Sequence, residues 1–430
     1  MNGPSFRVRI EPSIRSIPAE VWDACTRGVP VGETLSFAAK GFDRLENRGK
    51  AESSQRLESK SEVVESSCEI DADNPFVTHD FLSSLEDSGA ASARTGWVGR
   101  HLLVEDENGS ALAAMPAYFK SHSRGEYVFD HGWAEAFERA GGNYYPKLQV
   151  SVPFTPVTGP RLLVRRGPSA LAAREALIAG ALELVKRERA SSLHITFPTE
   201  AEWNYLTGLG FLARNDRQFH WLNEGYKTFD DFLSALSSRK RKMIKRERRE
   251  ALNGVEILRL SGSDLTEAAW DSFFAFYMDT GARKWGTPYL NRAFFSIVNG
   301  KMRDRIVLVM AKRGGQFIAG ALNFLSRHAI YGRYWGAIEH RPFLHFEVCY
   351  YQAIEYAIEH GLKVVEAGAQ GAHKILRGYR PVTTYSAHYI AHPSFRRAVA
   401  DYLQNERAYV AAEAAELSAA LPFRSEEPDF

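Results

Sequence analysis

The stretch VVEAGAQGAHKILRGYRPVTTYSAHY, residues 364–389, carries the architecture of the chain. It reads as a short apolar strand (Val364 to Ala367), a glycine-punctuated helical turn closed by Gly378-Tyr379, and a strand holding Ala387-His388-Tyr389. The first half contains the same order of events. A strand from Leu193 to Phe197 leads through a helical stretch to Gly210-Phe211 and then to Phe219-His220-Trp221. The glycine-to-histidine interval is ten residues in both places, 210 to 220 and 378 to 388, so the spacing predicts an internal duplication. Upstream of each copy the pattern also agrees. In the first half, His101 to Val104 and Ala111 to Phe119 flank the turn-forming Asn108-Gly109, and a helix follows at Ala170 to Glu188 with Ile178, Ala181, Leu182 and Val185 on one stripe. In the second, a charged helix (Phe229 to Leu252) and an aromatic helix (Trp270 to Met278) precede three strands at 305–311, 317–325 and 329–336. The helix Phe346 to Glu359 then buries Tyr350, Ala353, Ile354 and Ala357.

Length agrees with two units, because 430 residues exceed what one core usually holds. Apolar residues make up 45% and charged residues 25%, a globular balance. No run reaches the length of a membrane span and the N-terminus lacks a secretory apolar region, so a cytoplasmic protein is expected. Cys25, Cys68 and Cys349 have neither disulfide-framework nor zinc-ligand spacing, and no metal site is expected. Lys plus Arg minus Asp plus Glu is 54 − 52 = +2, so an anionic partner has to meet a local patch. Residues 31–69, rich in Ser, Glu, Arg and Gly, read as a flexible insertion, and Val399, Leu403, Val410, Ala414, Leu417 and Leu421 as a closing helix.

Several places bear chemistry. After the strand ending at Ala367, Gln370, His373, Lys374, Arg377 and Tyr379 surround a sharp turn, where Lys374 and Arg377 can form a cationic cup for an oxyanion or carboxylate. Two solvated surface cations are the competing reading. Alternation along 331–336 places Tyr331, Arg333 and Trp335 on one strand face, as a pocket wall or as a core arginine reaching outward. Glu347 aligns with the buried stripe of Tyr350 and Ile354, either as a proton acceptor for an attacking amine or as an acid favoured by a helix N-terminus. The run 239–250 has eight cations and two acids, among them Arg239, Lys240, Arg241, Lys242, Lys245 and Arg246, a footprint for RNA phosphates or a solvated helix face. Lys284, Trp285, Tyr144, Tyr145 and Lys147 complete the candidate substrate-binding set, the last three within a tract of loops.

NPF at 74–76, SRGEYVFDHGWAEAFERAGGNYYPKL at 123–148 and VPFTPVTGPRLL at 152–163 closely resemble the FemAB-like predicted N-acyltransferases of the GNAT superfamily, a family labelled peptidoglycan biosynthesis protein. The resemblance runs from about Arg7 to Tyr402 and spares the insertion. It implies an α/β (α+β) fold of two tandem GNAT-like domains, each a mixed, mostly antiparallel sheet flanked by helices. We place them at 1–225 and 226–397, followed by a C-terminal helix and tail at 398–430. Fem-type aminoacyltransferases move an amino acid from aminoacyl-tRNA onto an amine of a peptidoglycan precursor. Lys374, ahead of Gly378-Tyr379, falls where their oxyanion-stabilising lysine stands, and the 239–249 run is similar to their basic helical segment.

The chain departs from its relatives in two ways. Phe229 to Leu252 is too short for the long helical arm of many tRNA-dependent ligases. At the point where CoA-dependent enzymes carry a glycine-rich phosphate loop, His340-Arg341-Pro342-Phe343-Leu344-His345 has no glycine, which disfavours CoA. The expectation is an N-acyltransferase with no tightly bound cofactor, using aminoacyl-tRNA or acyl-CoA as donor and an amine-bearing small molecule or peptide as acceptor. In it Lys374 stabilises the oxyanion, Arg377 and Arg333 hold an anionic group, and Glu347 or His373 takes the proton. An acetyl-CoA-dependent GNAT enzyme and a non-catalytic RNA- or protein-binding module on the same fold are the alternatives.

Overall fold

A computed structural model describes residues 5–27, 73–284, 288–368 and 371–424. Residues 31–69 of the expected insertion lie outside them. In the first half the strands are β1 (Arg7–Glu11), β2 (Trp97–Gly99), β3 (His101–Glu105), β4 (Ala111–Met115), β5 (Ala117–Lys120), β6 (Lys147–Val150), β7 (Leu163–Val164), β8 (Ser192–Thr196) and β9 (Leu212–Leu222). The helices between them are α1 (Ala19–Thr26), α2 (His79–Asp87), α3 (His131–Arg139), α4 (Ala170–Arg187) and α5 (Glu200–Gly208). The second half holds α6 (Phe229–Ala235), α7 (Ser238–Ala251), α8 (Glu267–Lys284), α9 (Arg292–Met302) and strands β10 (Glu256–Leu260), β11 (Ile306–Arg313), β12 (Gln316–Leu325) and β13 (Ala329–Ala337). A helical turn Leu344–Phe346 and a π turn Glu347–Tyr351 lead into α10 (Gln352–Glu359), followed by β14 (Val364–Glu366), β15 (Arg380–Ile390) and α11 (Pro393–Ala419).

Local chemistry explains these elements. β11 alternates without polar interruption: Ile306, Leu308 and Met310 pack against Trp270 and Phe273 of α8, while Val307, Val309 and Ala311 pack with Val348 on the other face. A strand buried on both sides reads as continuously apolar for this reason. In the first half α4 covers Leu102, Val104, Ala113 and Met115 with Leu177, Ile178 and Ala181. Pro116, which has no N–H to give a ladder, separates β4 from β5. The outer strands consequently form a sheet of their own, in the order β1-β3-β4-β7.

The main sheet has eleven strands, ordered β10-β11-β12-β13-β14-β9-β15-β8-β6-β5-β2. It is antiparallel except where β13 meets β14 and β6 meets β8. The two last strands are exchanged. β9, made by the first half, lies against β14 of the second with His220 opposite Glu366, and β15 lies against β8 with His388 opposite His194. Between them β9 and β15 pair from Arg380↔His220 to His388↔Leu212. The duplicated Gly-to-His segments are therefore the two strands that cross over, and they form the centre of the sheet. α11 covers the crossing: Arg214 grips Glu406 through two bonds of 2.8 Å, Arg217 pairs with Glu413, and Arg407 donates to the Ala213 carbonyl.

Two local expectations are corrected. The helix read from Phe229 to Leu252 is two helices, because Leu236 adopts an extended conformation between α6 and α7 and bridges to Phe423. The tract around 120–133, read as loops, contains the end of β5 and the start of α3.

Candidate active site

β14 pairs with only three residues of β13, Ala329 to Tyr331, and beyond Tyr331 the two parallel strands part. Lys374 lies just past the end of β14, on the two-turn 3₁₀ segment Ala372–Arg377, which enters from Gly371 at φ 98° and leaves through Gly378 at φ 84°. Glycine is needed at both ends for that left-handed geometry. The Lys374 side chain is 3% exposed and its Nζ donates to the carbonyls of Ala367 at 2.5 Å and Gly368 at 3.0 Å. Its stem runs past Phe219 and Tyr350, whose ring centres lie 5.6 and 5.9 Å from Nζ. Burial brings the ammonium down to about 7, Arg333 adding to the effect while Cys349 and Glu366 oppose it.

Arg333 sits at a β-bulge. Gly332 is opposite Asn323 and Tyr334 opposite Leu322, so Arg333 is the extra residue and the alternation breaks there. Tyr331 and Arg333 both face Phe76, with ring separation 5.2 Å and guanidinium-to-ring distance 5.9 Å, whereas Trp335 packs on His345 at 5.1 Å. The common face expected for Tyr331, Arg333 and Trp335 is thereby corrected. Arg333 approaches Glu366, Nη1 to Oε1 3.8 Å, with side-chain exposures of 5% and 4%. Arg333 Nε and Nη1 and Glu366 Oε1 have no hydrogen-bond partner among the described residues. Burial pushes the Glu366 carboxyl up to about 7, against the opposing charges of Arg333, Lys374 and Arg161. His220 Nε2 lies 3.9 Å from Glu366 Oε2, and burial, aided by Lys374, takes its ring down to about 4.

The first half closes around this point. Asn74 donates to the Thr158 carbonyl at 3.0 Å, Tyr334 donates to the Phe154 carbonyl at 2.9 Å, and Gln218 donates to the Pro156 carbonyl at 2.5 Å. Buried Arg161 ties the loop by donating to the carbonyls of Val157, Gly159 and Thr196. The NPF motif thus meets β13 at Arg333, and the VPFTPVTGPR motif meets β13 at Tyr334 and β9 at Gln218.

Other candidates are placed elsewhere. Arg377 does not share a cup with Lys374: its Nη2 meets both Glu247 oxygens at 2.8 Å, its Nε donates to Tyr351 at 2.9 Å, and Phe346 stacks 3.5 Å beneath it. Glu347 is corrected as a free proton acceptor, since Arg248 reaches it at 2.9 Å and 3.0 Å and Gln352 at 2.7 Å. His373 contacts the Tyr350 hydroxyl at 3.1 Å. Tyr379 is fully buried, and its hydroxyl has no hydrogen-bond partner among the described residues. Lys147 is occupied, donating to Ser123, Glu126 and Asp130 at 2.7, 2.6 and 2.6 Å, so all three of its protons are spent. Tyr144 joins the same buried network through Asp130 at 2.6 Å, and Tyr145 through Ser123 at 2.9 Å. This network fixes the first half, and the expectation of a substrate site at Tyr144, Tyr145 and Lys147 is corrected. Gln370 and Trp285 lie outside the described residues, as does the Lys284 side chain. On α7, Arg239, Lys242, Lys245 and Arg246 are exposed while Lys240 and Arg241 are half-buried. Among the described residues no group of three or more His, Cys, Asp or Glu could hold a metal ion, and no helix is long and apolar enough to cross a membrane.

Glu366 is the site residue that sequence reading missed. Its signal was a carboxylate closing an otherwise apolar strand, Val364-Val365-Glu366-Ala367.

Among solved structures, FemX is similar at 15% identity and TM-score 0.47, covering 72% of this chain and 92% of that one. L-PGS from Bacillus licheniformis is similar at 10% identity and TM-score 0.44, covering 75% and 95%. A tandem GNAT protein from the clavulanic acid biosynthesis pathway is similar at 14% identity and TM-score 0.37, covering 72% and 95%. No curated protein matches the sequence. Residues 58–425 match the FemAB-like family, described as peptidoglycan biosynthesis/recognition, and the chain belongs to that family.

Proposed function

We propose that the protein is an acyltransferase that moves an aminoacyl or acyl group onto an amine, with the reacting carbonyl held at Lys374. The observation that carries this reading is a buried ammonium with two of its three N–H groups fixed on the Ala367 and Gly368 carbonyls. Among the described residues the third has no partner and can donate to a substrate oxygen. As the amine nitrogen attacks the carbonyl carbon, negative charge gathers on that oxygen, and a donor already oriented in a water-poor site stabilises it without reorganising. Collapse of the tetrahedral intermediate forms the amide and expels the donor's oxygen or sulfur leaving group with a proton. Membership in the FemAB-like family supports the same chemistry.

Two features favour aminoacyl-tRNA over acyl-CoA as donor. The exposed cations of α7 form a phosphate footprint. At 340–345, where CoA-dependent enzymes carry a glycine-rich phosphate loop, His340-Arg341-Pro342-Phe343-Leu344-His345 has no glycine to bring backbone amides against a pyrophosphate. The acceptor is an amine-bearing small molecule or peptide and the reaction is cytoplasmic in this reading. The proposed domains 1–225 and 226–397 act as one unit, because the exchanged β9 supplies Phe219 and His220 to the second-half site. Incubating the protein with charged tRNA or acyl-CoA and a pool of amines, followed by mass spectrometry for new amides, tests the proposal. Lys374→Met should remove the product. Full transfer by that variant, or no amide from either donor, rules the reading out.

A further inference from the structure

We infer that Arg333 and Glu366 form the acceptor seat, and that the amine it takes belongs to an α-amino-acid group, with a carboxylate on Arg333 and the reacting nitrogen on Glu366. The transfer step rests on the function proposed above; the binding does not. Two opposite charges lie side by side, almost wholly buried, at 3.8 Å, beyond hydrogen-bond reach of each other. Arg333 Nε and Nη1 and Glu366 Oε1 all lack partners among the described residues. Buried polar atoms are rarely left so, and here donors and an acceptor that would suit one zwitterion lie side by side without hydrogen bonds. A carboxylate fits the planar edge of the guanidinium through Nε and Nη1, and an ammonium fits Oε1.

The surroundings agree. His220 faces Oε2 and leaves Oε1 as the open oxygen. The way in is the bulge side, where Gly332 to Trp335 are half-exposed although the Arg333 side chain is not, so that side chain swings to admit a ligand. The other charged group acting on Glu366 is Arg161, which is already held by backbone carbonyls.

In the reaction Glu366 Oε1 accepts one proton from the ammonium. The freed electron pair forms the C–N bond at the acyl carbon, the bond to the donor's oxygen or sulfur breaks, and that atom departs with the nitrogen's second proton. Glu366 then returns its proton to solvent. Burial has placed its carboxyl at about 7, suited to taking and releasing a proton near neutrality.

The test is saturation-transfer NMR on the full chain with three probes: L-lysine, 1,5-diaminopentane, which lacks the carboxylate, and 6-aminohexanoate, which lacks the α-amine. L-lysine should bind about tenfold or more tightly than either fragment. Arg333→Gln should lower it to the level of 1,5-diaminopentane and Glu366→Gln to that of 6-aminohexanoate, with Arg333→Lys recovering part of the loss. Equal binding of L-lysine and 1,5-diaminopentane, persistence of the preference in Arg333→Gln, or no binding of any probe overturns the seat. Should the variants fail to fold, the wild-type comparison of the three probes still decides. The two proposals fail separately: L-lysine bound by this rule without any acyl movement removes the transfer and keeps the seat, while transfer to 1,5-diaminopentane as fast as to L-lysine removes the seat and keeps the transfer.

Discussion

Replacing Lys374 by methionine keeps most of the buried stem and deletes the charge, and the structure dictates how stability should respond to pH. In the fold the ammonium gives up its proton at about 7 rather than at its ordinary 10.5, chiefly because of burial. At about 1.4 kcal/mol per pH unit, the full penalty for keeping it charged is roughly 5 kcal/mol. Between pH 7 and 10.5 the unfolded chain binds more protons than the folded one, so wild-type stability rises with pH there, and below pH 7 the penalty is fully present. From pH 6 to pH 9.5 the wild type should therefore gain about 3 kcal/mol on the variant. Against this, methionine leaves the half-buried carbonyls of Ala367 and Gly368 to water, at a cost of about 1 kcal/mol each. Lys374→Met should accordingly equal or exceed the wild type in stability at pH 6 and fall below it at pH 9.5. Lys120 and Glu126, which burial also moves to about 7, are common to both proteins and cancel. Urea denaturation at the two pH values measures the difference. A gap between the two proteins that stays constant across this range would refute the buried, charge-bearing lysine from which the oxyanion role is argued.

Other outcomes follow from neighbouring geometry. Glu247→Gln strips Arg377 and Tyr351 of their shared carboxylate and should lose about 3–5 kcal/mol in urea denaturation; the double change Glu247→Leu with Arg377→Met should recover part of it. Gly378→Ala places a Cβ 2.9 Å from the Phe232 ring at φ 84°, so a loss of about 2 kcal/mol is expected in thermal melting, and an unchanged melt contradicts the turn geometry. Reversing the charges of Arg239, Lys242, Lys245 and Arg246 to Glu should leave melting unchanged and flatten the salt dependence of RNA binding by roughly three in log–log slope. A salt slope that does not move removes α7 from the RNA surface.

What the sequence made legible was whatever depends on neighbours along the chain. Residues Ile306 to Ala311, the Tyr350-Ala353-Ile354-Ala357 stripe and the matched Gly210 and Gly378 punctuate elements through local stereochemistry, and each is found where the pattern put it. Lys374 could be picked out because glycines mark its turn. What escaped depends on partners far away in the chain. Arg377 and Lys374 differ in surroundings because Glu247, 130 residues earlier, pairs with one and not the other. Glu347 reads as a base until Arg248, 99 residues away, closes on it. Arg333 left its expected face because Asn323 and Leu322 on the adjoining strand impose a bulge. No local pattern announces a strand exchange either, since β9 would have the same composition in either half's sheet.

That crossing has a temporal meaning. During synthesis the first half emerges with the flank of β8 bare, because its proper neighbour, β15, is encoded almost two hundred residues downstream. β9 meanwhile waits for β14 and β15. A nascent chain ending near residue 225 therefore carries open ladder edges on the ribosome, the kind of surface that recruits chaperones or aggregates. Only after Ile390 has been made can both halves complete their hydrogen-bond ladders, and they do so together.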